Sequence, residues 1–67
     1  MALTTIKLND RLTLEQHDWL VEHVGPRYHY LHNSIGGEKW RATKQKYGSW
    51  SLTVDEKIAT YFTLRFL

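Results

Sequence analysis

Histidines at positions 29 and 32, tyrosines at 28 and 30, and Asn33 make the densest run of chemically capable side chains in this 67-residue sequence. A His-x-x-His pair could reach one metal ion if the segment turned helically, with Glu38 as a third ligand from across a hairpin. Extended backbone instead sends positions 29 and 32 to opposite faces, so the spacing favours hydrogen bonding within a loop over a metal centre. Asp18 and Glu22 pair two carboxylates four residues apart, but on the outer face of a helix, where solvation is the simpler expectation. Ser34 and Ser49 stand in turn-rich sequence near histidines, within no nucleophile signature, and so short a chain has little room for a water-excluded pocket. We therefore expect neither catalysis nor a cofactor. The absence of cysteine removes thiolate ligands, cysteine nucleophiles and disulfides together.

Binding chemistry is better represented. The stretch from Arg27 to Trp50 holds five of the nine basic residues and two of the four histidines, interleaved with tyrosine and tryptophan. Its cations are Arg27, Lys39, Arg41, Lys44 and Lys46 against the single acid Glu38, a net +4 that leaves −2 for the rest of a chain totalling +2. Such a basic, aromatic hairpin, with Tyr47 free in a turn, could contact phosphates by charge and bases by stacking. The competing structural reading is an ordinary solvated strand face with Trp40 buried beneath it, which the shared face of Trp40 and Ala42 supports. Ile35-Gly36-Gly37 lacks the strand-to-helix setting and the lysine of a phosphate-binding loop.

The negative share lies between Thr13 and Val24, where Glu15, Asp18 and Glu22 occur with no lysine or arginine among them. Beside them stands Trp19, off the apolar stripe of the same segment. Either it packs against the N-terminal segment or the Gly25-Pro26 loop, or it anchors a partner, as exposed tryptophan and tyrosine often do, with Tyr30 a second such anchor. His17 falls within the apolar stripe, where a hydrogen-bonded histidine at a core edge is the simpler expectation than a base. His23, near the C-terminal end of that helix, is placed to interact with the helix dipole when it carries a proton, a structural role.

The elements that must position these residues are marked by local signals. Thr5 to Leu8 alternates and runs into Asn9-Asp10, a short strand and a turn. Thr13-Leu14-Glu15-Gln16 matches a capping box; the helix it opens carries Leu14, His17, Leu20, Val21 and Val24 on one stripe and ends at Gly25-Pro26. Tyr28 to His32 reads as a strand, Asn33 to Gly37 as a turn, Lys39 to Lys46 as a strand, and Tyr47-Gly48-Ser49 as another turn. Trp50, Leu52 and Val54 alternate with polar residues as in a half-buried strand, and Asp55-Glu56 opens a second helix bearing Ile58, Ala59 and Phe62. Residues 63–67 either continue that helix or finish as a strand. The expected fold is α+β, an antiparallel sheet of three to five strands with two helices on one face, in ferredoxin-like order.

One domain accounts for residues 1–67, near the lower size limit for autonomous folding, and elements reaching close to both ends lead us to expect a complete small protein. The first ten residues have no apolar run of signal-peptide length, nor does the chain contain a stretch of about 18 apolar residues, so a cytoplasmic location without membrane association is expected. The closing run from Asp55 to Phe66, D-x-x-x-A-x-x-F-x-L-x-F, resembles the ending of small uncharacterised accessory proteins of tailed bacteriophages, over about a fifth of the chain. That resemblance implies a non-enzymatic factor, in the host cytoplasm, that binds and modulates a host protein or nucleic acid.

Together these readings give an expected function: binding another macromolecule, first a protein, through Glu15, Asp18, Trp19, Glu22 and Tyr30. The alternative is RNA or single-stranded DNA binding through Arg27, Lys39, Arg41, Lys44, Lys46 and Tyr47. Self-association of so small a core, through an edge at Leu64-Arg65-Phe66, is a third expectation.

Overall fold

The capping box forms as read. In the computed structural model, which describes residues 2–67, the Thr13 hydroxyl accepts from the Gln16 backbone N–H at 3.1 Å while the Gln16 side chain accepts from the Thr13 N–H at 3.0 Å. This satisfies two otherwise open donors and starts helix α1, Leu14–His23. The second helix, α2, spans Glu56–Phe66 and is capped by the Asp55 carboxylate, which accepts from the Lys57 N–H at 3.2 Å. Residues 64–66 are helical, so the chain ends on α2 and no final strand follows.

Five strands, β1 (Leu3–Leu8), β2 (His29–Tyr30), β3 (Ser34–Gly36), β4 (Trp40–Lys44) and β5 (Trp50–Asp55), form one sheet in the order β1-β5-β4-β3-β2 with every neighbouring pair antiparallel. The α+β class and the antiparallel sheet are as expected, whereas the strand order is not ferredoxin-like. A ferredoxin-like sheet needs each helix to link two strands, and here only α1 does so. It carries the chain from the β1 edge to the β2 edge, after which β2 to β5 return as a meander to pair with β1. The turn-rich stretch 33–37 contributes a strand, because Ile35 pairs with Ala42 and is 1% exposed, and that burial outweighs the local turn preference of its neighbours.

The register sorts side chains onto two faces. Ile6, Leu52, Ala42 and Ile35 lie in one cross-strand row, with Trp40, Trp50 and Val54 on the same side, and these pack with Leu20 of α1 and with Ala59 and Phe62 of α2 into a single core. Burying each large apolar side chain contributes about 1.5–3 kcal/mol, which for a domain this small makes every one of them consequential. The Trp40 indole N–H finds the Gly25 carbonyl at 2.9 Å and so ties the end of α1 to the sheet. Among the described residues the opposite face carries no helix.

Helix α1 is rotated from the expected stripe. Leu20 is buried and Val24 half-buried, but Leu14 is 74% exposed and Val21 lies at the surface, while Trp19 turns inward against Phe62 and Phe66 at centroid distances of 5.9 and 6.0 Å. The larger ring gains more from burial than a leucine in the first turn, so it sets the rotation.

Candidate functional site on the open sheet face

On the helix-free face, Thr5, Thr53, Arg41, Gly36 and His29 follow one another across the sheet, and Lys7, Ser51, Thr43 and Ser34 make the next row. Strand pleating puts the polar member of each alternating pair here because the apolar member is committed to the core. The result is a broad, shallow hollow of about 1050 Å³ at the end of the sheet where β4 and β5 join. Its cations are Lys7, Arg41 and Lys46, it is lined further by hydroxyls and amides, and no carboxylate takes part. Among the described residues the ion pairs are His17–Asp18 and Arg65–Glu15, so all three cations are free of an acidic partner. The hydroxyls are laterally ordered: Thr5 and Thr53 share a hydrogen bond at 3.2 Å, and the Gln45 amide donates to Ser51 at 2.8 Å.

At the rim of this hollow stands Tyr47. The β4–β5 connection closes through the Gln45 N–H on the Ser49 carbonyl at 2.7 Å, and of the three residues between them the last two have positive φ, 62° at Tyr47 and 81° at Gly48. That is the backbone of a primed hairpin turn, whose first central position favours asparagine or glycine. A tyrosine there costs about 1–2 kcal/mol in backbone strain. Its side chain recovers nothing by packing, being 103% exposed, and its ring is open for contact on both faces.

The other basic residues of the hairpin are dispersed. Lys44 falls on the helix side of the sheet, opposite Trp50 and exposed at the strand end. Lys39 runs along Gly25 in the turn before β4. Arg27 stacks on Tyr30 with its guanidinium carbon 5.0 Å from the ring centroid. Arg11, which no local pattern singles out, lies 5.1 Å from the same ring and 5.0 Å from that of Trp50, and donates to the His32 carbonyl at 3.1 Å. Trp50, Arg11, Tyr30 and Arg27 thus build an alternating ladder of rings and guanidiniums on the helix side, and Tyr30 is a rung of it, although half its surface remains open.

Of the acidic-helix residues, Glu15, Asp18 and Glu22 are all exposed, Glu15 facing Arg65 at 3.7 Å and Asp18 accepting from His17 Nδ1 at 3.0 Å. Trp19 is half-buried, with the His23 ring stacked on it at 4.6 Å and His23 Nδ1 on the Trp19 carbonyl at 2.9 Å. His17 is at the core edge, its ring between those of Tyr30 and Trp40. His29 Nε2 meets the Ser34 hydroxyl at 2.9 Å on the open face, and His32 lies in the following turn. Among the described residues no three His, Cys, Asp or Glu side chains converge as a metal site would require.

A second cleft, of about 680 Å³, opens at the other end of the sheet between Val24, Trp40 and Ile58, with Glu38, Lys39, Arg41 and Asp55 on its walls. Its mixed charges favour no ligand sign. Among the described residues no helix is long and apolar enough to cross a membrane. No protein-family model, curated protein or solved structure matches this chain.

Proposed function

We propose that the protein binds single-stranded nucleic acid across the open face of its sheet. The observation that carries this reading is Tyr47: a fully exposed ring held in a strained backbone at the rim of a carboxylate-free hollow containing Lys7, Arg41 and Lys46. Lysine and arginine neutralise phosphates, the hydroxyl rows offer donors and acceptors to sugar and backbone oxygens, and an unpacked tyrosine stacks on a base that has left its own stack. The face is an open sheet, and among the described residues no helix stands on it to enter a duplex groove, so the favoured ligand is a single strand.

Fluorescence anisotropy with a labelled oligonucleotide of about 12 nucleotides tests this. Three phosphate contacts predict a slope of log affinity against log salt of about −2, a preference for single strand over duplex, and a loss in each of Lys7→Glu, Arg41→Glu and Lys46→Glu. Absence of binding at about 50 mM salt, where such contacts are strongest, would refute the reading.

A second reading rests on α1. Leu14 is 74% exposed beside Glu15 and Asp18, with Val21 and Glu22 one or two turns on, so the outer face of this helix pairs apolar contacts with acid and suits a basic protein partner. Capture of a stoichiometric protein from nuclease-treated lysate, lost on Leu14→Lys and retained on Lys46→Glu, would favour it over the first.

A further inference from the structure

Strand β1 is terminal in the sheet and six residues long, so alternate N–H and C=O groups along its outer side have no strand partner. The opposite edge, β2, has only two residues. Beside the β1 edge, on the helix side, a hollow of about 360 Å³ is lined by Thr4 and Ile6 from the strand and by Thr60 and Thr63 from α2. Leu64 of α2 lines it too and stands 79% exposed, and Leu67 follows a turn later at 65%; Leu3, 67% exposed, lies on the other face of the strand, beside Asp55. We propose that this edge is a self-association surface and that its occupant is a second copy of the chain, joined β1 to β1 about a two-fold axis.

Three features select a second copy over another partner. The projecting Leu64 and the hollow it borders lie at the same edge, so a two-fold rotation seats each leucine over the other subunit's hollow, the self-complementarity an isologous interface requires. Antiparallel pairing keeps like faces together only if the axis passes through a residue, and centring it on Thr5 sets Ile6 against Thr4 of the second copy beneath the leucines. The same register sets Lys7 opposite Leu3 of the second copy, whose in-subunit neighbour is Asp55, so each lysine gains an acid across the interface. Centring on Ile6 would instead set Lys7 opposite Thr5 of the second copy, whose in-subunit neighbour is Thr53, and the lysine would gain no acid. The dimer is a continuous ten-stranded sheet with the open faces coplanar, and it stands whether or not those faces bind nucleic acid.

Sedimentation velocity and light scattering across protein concentration test the proposal. Twice the chain mass is expected at high concentration, with Leu64→Lys and Lys7→Glu each raising the dissociation constant roughly tenfold or more and Leu14→Lys leaving it unchanged. Leu64 is so exposed that its substitution should leave the monomer folded, which near-ultraviolet circular dichroism verifies; if it does not, Lys7→Glu alone carries the test. A particle of single-chain mass up to about 1 mM, weaker than any specific dimer needs, would overturn the proposal. So would a dimer that both edge variants leave intact, or one that Leu14→Lys dissociates.

Discussion

Tyr47 sets backbone strain against surface chemistry within one residue. Asparagine tolerates positive φ better than tyrosine and is favoured at that position of a primed hairpin turn, so Tyr47→Asn should raise stability by up to about 1 kcal/mol, measured by urea denaturation. The same variant should lose affinity for a single-stranded oligonucleotide by about 1–3 kcal/mol, the worth of one base stack. A stability gain with no affinity loss would leave the tyrosine without the role assigned to it. Single residues were unevenly legible in the sequence. Tyr47 could be read as a free turn aromatic from Tyr-Gly-Ser alone. Lys7, Thr5 and Thr53 could be read only as the polar halves of alternating strands, since their adjacency to Arg41 depends on a register between β1 and β5 that no local pattern encodes. Arg11 gave no signal, because its partners Tyr30 and Trp50 are distant in sequence.

At the scale of elements, local chemistry and burial decided different things. Both helix starts and the alternating strands β4 and β5 were legible because caps and half-buried pleats leave short-range signatures. The rotation of α1 was not: its exposed Leu14 and inward Trp19 depend on where the Phe62 and Phe66 rings of α2 wait. Strand β3 was hidden for a similar reason, its turn-forming residues being recruited by pairing with β4. Close approach matters at Gly37, whose N–H donates to the Trp40 carbonyl at 2.9 Å and whose α-carbon faces Pro26. A methyl group added there would collide with the Pro26 carbonyl oxygen, which is backbone and cannot swing aside. Gly37→Ala should therefore destabilise the fold by about 2–3 kcal/mol, lowering the midpoint of urea unfolding.

Across the whole molecule, charge is segregated: an acidic outer helix on one side of the core and, through the sheet, a hollow lined by cations and no carboxylate. Composition disclosed both poles, and only the topology shows that they lie on opposite layers. That topology also orders events in time. Residues 29 to 55 make a meander whose strands pair with near neighbours in sequence, as Tyr30 does with Ile35 and Ala42 with Leu52. Strand β1 must join β5 by bringing Leu3 to Asp55, 52 residues further along the chain (55 − 3). Closing so long a loop is entropically costly until the meander exists to receive it, so β1 docks late. Ile6→Val should then speed unfolding while leaving the refolding rate nearly unchanged in stopped-flow traces. During that interval the growing sheet presents β5, not β1, as its bare edge. The nascent chain's exposure to mispairing is therefore governed by the Trp50–Asp55 strand and ends when its own first residues arrive.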